Sequence, residues 1–205
     1  MGFSTRQIHS GTAPDPVTGA ILPPIYQSTT YVQESVDQYL AKGYSYSRSG
    51  NPTVRALERR LADLEGGHDC TCFATGMAAI NAVYLAFLNA GDHVVCSDDL
   101  YGGTYRLSTK VYARFGVEFS FVDTADPANV ERALRPNTRL ILTETPANPT
   151  MKLTDLAAVS AIARSRGIPH AVDNTFLTPY YQRPLELGAD LVIHSTTKYF
   201  DGHNA

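Results

Sequence analysis

The feature that most constrains this chain is an alternation that starts at Asn51: short apolar runs, each followed by a segment with helical spacing. Val54, Leu57, Leu61 and Leu64 recur at steps of three and four, one face of a helix. Asn51 can cap that helix, Pro52 suits its first position, and Gly66-Gly67 ends it. Cys70 to Phe73 then reads as a strand. Met77 to Leu88 reads as a helix apolar enough to be buried on most sides. Strands are expected at His93 to Cys96, Val117 to Val122, Leu140 to Thr143, Ile168 to Val172 and Leu191 to His194. Helices are expected at Thr104 to Phe115, Ala128 to Leu134 and Leu153 to Arg166, with Gly116 and Gly167 closing the first and last. The pattern predicts an α/β fold: a mostly parallel sheet sandwiched by helices, with ligands at the carboxyl ends of its strands.

Residues 1 to 50 do not share this pattern. Prolines at 14, 16, 23 and 24 exclude a long helix there. Yet Ile21, Leu22, Ile25, Tyr26 and Tyr31 need a surface to pack on. The expected division is therefore an extended N-terminal arm, 1-50, contacting a neighbouring subunit, and a large domain, 51-205.

Composition narrows the partners. A net charge of −3 gives no reason to expect nucleic acid or an anionic membrane as a partner. No apolar run approaches the roughly 20 residues that span a bilayer. The first six residues are too polar for a signal peptide. Three cysteines, Cys70, Cys72 and Cys96, suggest reduced thiols and a cytoplasmic protein. Cys70 and Cys72 could be half a metal site, but no second Cys/His pair stands at ligand spacing. The expectation is buried, inert thiols and no metal.

Polar clusters follow the strands. Lys198 comes after an apolar run and three hydroxyl residues. A lysine there can be a solvated surface residue, or a covalent tether for a carbonyl compound if its amine is desolvated. Asp173 can cap a turn, or pair with the protonated ring nitrogen that a pyridoxal cofactor needs. Thr75-Gly76-Met77 opens a helix, which suits either close strand–helix packing or an anion at free N–H groups. Tyr101-Gly102-Gly103 can be a plain turn, or can offer an aromatic ring to a flat ligand.

Their order along the chain carries more than any one of them. Tyr46-Ser47-Arg48-Ser49-Gly50-Asn51-Pro52-Thr53, Thr75-Gly76-Met77-Ala78-Ala79-Ile80 and Tyr101-Gly102-Gly103-Thr104 come first. Glu144-Thr145-Pro146-Ala147-Asn148-Pro149, Val172-Asp173-Asn174-Thr175-Phe176 and Ser195-Thr196-Thr197-Lys198-Tyr199 follow, with Gly202-His203. The set resembles the Cys/Met-metabolism, or trans-sulfuration, family of pyridoxal-phosphate enzymes, closest to its cystathionine γ-synthase and γ-lyase members. The resemblance implies an aspartate-aminotransferase-like, fold-type I large domain and pyridoxal 5'-phosphate as cofactor. It implies that Lys198 carries the cofactor covalently and moves protons, and that Asp173 pairs with the ring nitrogen. Gly76, Met77, Ser195 and Thr197 would hold the phosphate, and Tyr101 would stack on the ring and handle a proton. Tyr46 and Arg48 would reach the phosphate of a neighbouring subunit, in a homotetramer built from dimers that share sites. Asn148 would lie near the substrate carboxylate or the cofactor's phenolic oxygen.

The departures are Thr75 where Ser is commoner, Asn204 after Gly202-His203, and length. Family members run to nearly twice this length. An arginine that grips the substrate carboxylate would be expected beyond Ala205. Gly103 stands where methionine γ-lyases tend to carry Cys. The expected activity is γ-replacement or γ-elimination on a homoserine-derived or cystathionine-type amino acid. An acylhomoserine sulfhydrylase or methionine γ-lyase is the alternative within the family. A non-catalytic fragment is the alternative outside it, and intact mass separates that reading. A nucleotide-binding domain is disfavoured because no G-x-G-x-x-G follows the first strand.

Overall fold

The computed structural model describes residues 2–37 and 43–203; Asn204 lies outside them. The chain divides into two compact units, Met1–Cys72 and Phe73–Ala205.

Among its described residues the first unit holds two helices, α1 (Phe3–His9) and α2 (Pro52–Glu65). The arm is thus not extended from its start, because the prolines that forbid helix begin only at Pro14. α2 begins as its sequence dictates. The Asn51 side chain accepts the Thr53 N–H at 2.8 Å, Pro52 opens the helix, and Gly66 closes it at φ 74°. Cys70 to Phe73 is not a strand. Two of its amides bond to carboxylates instead of a neighbouring strand, Cys70 to Asp69 Oδ1 at 2.8 Å and Cys72 to Glu58 Oε1 at 2.9 Å. Cys70 and Cys72 are half-buried rather than buried.

The second unit is a five-stranded sheet in the order β2-β1-β3-β4-β5, every pair parallel. The strands are β1 (His93–Ser97), β2 (Glu118–Val122), β3 (Thr138–Glu144), β4 (His170–Asp173) and β5 (Leu191–Ile193). Alternate residues of the apolar runs feed opposite faces. Val94, Cys96, Leu140, Leu142, Ala171 and Ile193 pack with Ile80 and Tyr84 of α3 (Gly76–Phe87). Val95 and Ile141 pack on the other face with Val130 of α5 (Pro127–Ala133) and with Val159 and Ala163 of α6 (Leu156–Ser165). Both faces being covered explains why these strands read as unbroken apolar runs. The chain leaves β1 for the edge strand β2 and returns on β1's other side as β3, so the order reverses between β1 and β3. Such a reversal opens a crevice at the carboxyl ends of the two strands.

Two expectations for this unit need correction. α3 is not buried on most sides; only Ile80 and Tyr84 are, and Leu85 is 69% exposed. One face of a helix lying on a sheet can be covered by that sheet, whatever the composition of the other. The expected helix from Thr104 is three pieces: α4 (Gly102–Arg106), a π-turn at Leu107–Val111 and a 3-10 turn at Tyr112–Phe115. Ser108 and Thr109 donate side-chain hydroxyls to the carbonyls four residues back, at 2.9 and 2.8 Å, competing with the regular ladder there.

Candidate functional site

The strand ends carry the polar clusters. Asp173 closes β4, in register with Glu144 on β3 and Ile193 on β5. Its Oδ1 accepts both the N–H of Thr175, at 3.1 Å, and the Thr175 hydroxyl. The same hydroxyl oxygen accepts the Ser195 N–H at 2.9 Å. Asp173 therefore does serve a turn, as its plainest reading held, and among the described residues it does so through Oδ1 alone. Burial pushes its carboxyl above the ordinary range, against the two Thr175 bonds and the nearby His194, which lower it.

Beyond β5 the chain turns tightly. Ser195 and Thr197 bring their hydroxyl oxygens to 2.9 Å, and the Lys198 N–H bonds back to the Ser195 carbonyl at 3.2 Å. Lys198 thus sits in a turn five residues past the strand, exposed, not on the strand end itself. The N-terminus of α3 abuts this turn. A Cβ on Gly76 would lie 3.1 Å from Ser195 Cβ and 3.4 Å from its Oγ, so glycine is what permits the approach. Thr75 caps α3, accepting the Ala78 N–H at 3.0 Å, and the Gly76 and Met77 amides precede any carbonyl four residues back within the helix.

Met77 also links this cradle to the loop after β1. A Cβ on Gly103 would fall 2.8 Å from Met77 Sδ and 2.4 Å from Tyr101 Cε1, so the Tyr101 ring and Met77 meet over a bare glycine. Tyr101 is 55% exposed, while its backbone is fixed: its N–H donates to Glu144 Oε2 at 2.7 Å. Asn148 is exposed in the loop after β3, four residues beyond Glu144. Burial raises the Glu144 carboxyl to about 7, helped by Asp173 and Asp99 and opposed by the Tyr101 and Asn148 backbone amides.

The structure thus brings Gly76, Met77, Tyr101, Asp173, Ser195 and Thr197 into one set of contacting loops with the turn that bears Lys198. Tyr46 and Arg48 belong to the first unit, where the Arg48 guanidinium lies 4.2 Å from the Tyr46 ring centroid. Two residues escaped the sequence reading. Thr175 bridges Asp173 to Ser195, and Glu144 ties the loop of Tyr101 to the end of β3. Both stand inside motifs already singled out, but nothing local reveals their partners.

A parallel sheet with helices on both faces and polar loops gathered at its strand ends is an α/β architecture, and the matches that follow make it that of the fold-type I pyridoxal-phosphate class. Residues 4–205 match the family described as Cys/Met metabolism PLP-dependent enzyme, and the chain belongs to it. Over 203 residues it is 53% identical to a probable cystathionine gamma-synthase of Herpetosiphon aurantiacus, covering 99% of this chain and 63% of that one. It is 53% identical over 204 residues to a cystathionine gamma-lyase of Bacillus subtilis (strain 168), covering 100% of this chain and 53% of that one. The crystal structure of metB from Corynebacterium glutamicum superposes with a TM-score of 0.96 at 48% identity, covering 100% of this chain and 53% of that one. The chain spans about half the length of the curated relatives it matches.

Proposed function

We propose that this chain is the cofactor-binding part of a trans-sulfuration enzyme that performs γ-replacement or γ-elimination on homoserine-derived or cystathionine-type amino acids. The observation that carries the reading is the hydrogen-bonded chain from Asp173 through Thr175 to Ser195. It ties a carboxylate, bonded through Oδ1 alone among the described residues, to a cradle of hydroxyls and amides, at the strand ends of a family that uses pyridoxal phosphate.

The residues fit that cofactor. The cradle formed by Gly76, Met77, Ser195 and Thr197 offers N–H and O–H donors to an anion, and any Cβ at Gly76 would intrude on it. When bound, pyridoxal phosphate supplies a protonated ring that draws electrons from a substrate carbon. Asp173 Oδ2 would hold the ring nitrogen protonated. The Lys198 amine would tether the cofactor, release it to the substrate amine, and then take the proton from the substrate α-carbon. Tyr101 would cover the ring and supply a second proton-handling group, the phenol. Asn148 would receive the substrate carboxylate or the phenolic oxygen.

The domain reading is a 1-50 arm and a 51-205 cofactor-binding domain in a cytoplasmic homotetramer built from dimers. Tyr46 and Arg48 would serve the phosphate of a neighbouring subunit. Supporting this is the arm's exposed apolar surface, with Leu22 78% exposed. Among the described residues no helix is long and apolar enough to cross a membrane.

The test is product analysis. The protein as it occurs, loaded with pyridoxal phosphate, should convert cystathionine and water to cysteine, 2-oxobutanoate and ammonia, or join an acylated homoserine to a thiol with loss of the acid. Formation of homocysteine, pyruvate and ammonia from cystathionine would instead mark β-elimination and overturn the γ assignment.

A further inference from the structure

Lys152 stands on the return leg of the loop after β3, four residues past Asn148. Its Nζ donates to both carboxylate oxygens of Asp98, at 3.0 and 3.1 Å, and lies 3.5 Å from Asp123 Oδ1. Asp98 begins the loop after β1, the loop that carries Tyr101, and Asp123 begins the loop after β2. One ammonium thus meets carboxylates from the ends of both neighbouring strands. Beside it, the Thr150 hydroxyl donates to Asp99 Oδ2. Two side chains of the β3 loop therefore grip two consecutive residues of the β1 loop. Asp98 is itself anchored, since its N–H donates to the Val122 carbonyl of β2 at 2.9 Å.

The grip falls on a strained stretch. Met151, between Thr150 and Lys152, has φ 56°, in the left-handed region that a residue with a Cβ disfavours. The loop closes on itself around Asn148: the Met151 N–H donates to the Ala147 carbonyl at 2.7 Å, and the Ala147 N–H to the Lys152 carbonyl at 3.2 Å. Such a backbone persists only where surrounding contacts hold it. The ion pair does not supply global stability. The Lys152 and Asp98 side chains are 35% and 38% exposed, and pairs so open to solvent add little to unfolding free energy. The loop's root has its own anchors: the Thr154 N–H donates to Thr145 Oγ1 at 3.0 Å, and the Oγ1 atoms of Thr124 and Thr154 lie 2.6 Å apart. What the ammonium adds is a tie beyond that root, towards the loop of Tyr101.

We propose that Lys152 is a positioning residue whose ion pair with Asp98, across the crevice between β1 and β3, sets where the Asn148 loop stands relative to the Tyr101 loop. It thereby governs the gap between the substrate-facing and ring-covering groups. Supporting contacts of this kind keep the side chains of a site in productive geometry. The inference rests on the proposed roles of Tyr101 and Asn148.

The experiment compares wild type with Lys152→Met, Asp98→Asn and the double variant, in the protein as it occurs. In the cofactor-free state, amide hydrogen exchange at Met151 and Ala147 should rise about ten-fold in either single variant and little further in the double, since each removes the same tie. Lys152→Arg keeps a cation that can fork onto a carboxylate and should restore most of the protection. Exchange at Thr154, and at Asn174, whose N–H bonds to the Ile193 carbonyl at 2.9 Å, should not change. The denaturant midpoint should stay at the wild-type value. After loading with pyridoxal phosphate, Lys152→Met should raise KM for the amino-acid substrate about five-fold or more with kcat nearly unchanged, because the loss falls on substrate binding. Wild-type exchange at Met151 and Ala147 in Lys152→Met, or fully additive effects in the double variant, overturns the proposal. A rise at every amide with a lowered midpoint overturns it by marking a merely structural role. A loosened loop with unchanged KM overturns it too, since the tie would then not serve the site. Failure of the wild-type protein to bind pyridoxal phosphate would count against the proposed function, whereas the exchange readout still decides whether Lys152 ties the two loops.

Discussion

In residues 73–205, Val94, Val95, Leu140, Ile141, Val159 and Val172 are wholly buried. In residues 1–72, Val17, Ile21, Leu22, Ile25, Val32 and Val36 are exposed at between 75% and 91%. The two regions carry the same kinds of aliphatic side chain and treat them oppositely. Burying one such side chain stabilises by about 1.5–3 kcal/mol. The sheet takes that gain within its own strands and helices, while most of the arm's apolar side chains go without it. The sheet is therefore a self-sufficient core, whereas the described apolar side chains of the arm gain little from burial within this chain.

Paired truncations put the largest strain on this contrast. Leu142→Ala should cost about 2–5 kcal/mol of unfolding free energy, because it opens a cavity between the sheet and α3. Leu22→Ala should change unfolding by no more than about 0.5 kcal/mol, yet shift sedimentation towards smaller assemblies. Denaturant midpoints of the two variants test this. Equal losses would erase the distinction between the regions.

Acid should separate the regions less strongly. His170 is buried on β4 between Thr143 Oγ1 and Ser160 Oγ, each at 2.9 Å, and burial lowers it from 6.5 to about 4. The folded state keeps its ring neutral, whereas the unfolded chain binds the proton below 6.5. Stability from this group is thus complete above pH 6.5 and is lost as pH falls to about 4, by at most about 3 kcal/mol. Burial also holds His93 on β1 at about 4, with Arg135 adding to it, in the same sense. In the first region, hydrogen bonds from Ser10 and Arg6 hold Asp63 below its usual 3.8, so its contribution is lost only under more acid conditions. Unfolding followed from pH 7 to 4 should therefore show a declining stability that His170→Gln flattens. An unchanged slope in that variant would remove His170 as the cause.

The parallel sheet could be argued from the sequence because an apolar run such as Leu140 to Thr143, buried on both faces, has few other uses; the order of the strands could not. The site's loops were legible for a similar reason, since Asp173 and Ser195 stand at or just after such runs. What could not be read is how those loops are joined. Glu144 meets Tyr101 from 43 positions away, and Thr175 meets Ser195 from 20; neither bond leaves a periodic or compositional trace. The π-turn at Leu107–Val111 and the missing ladder at Cys70 to Phe73 escaped for the opposite reason. There, side-chain hydroxyls and carboxylates bond locally to the backbone and override what apolar spacing suggests.

The central claim is that the loops at the strand ends of residues 73–205 hold pyridoxal phosphate through Lys198. The chain has four lysines, Lys42, Lys110, Lys152 and Lys198. Borohydride reduction of the loaded protein, followed by peptide mass mapping, reads which of them carries the cofactor. The account predicts a single reduced adduct on the peptide containing Lys198, abolished in Lys198→Ala while non-covalent cofactor binding remains. A protein that takes up no cofactor, or an adduct on Lys42, Lys110 or Lys152 in place of Lys198, would contradict it.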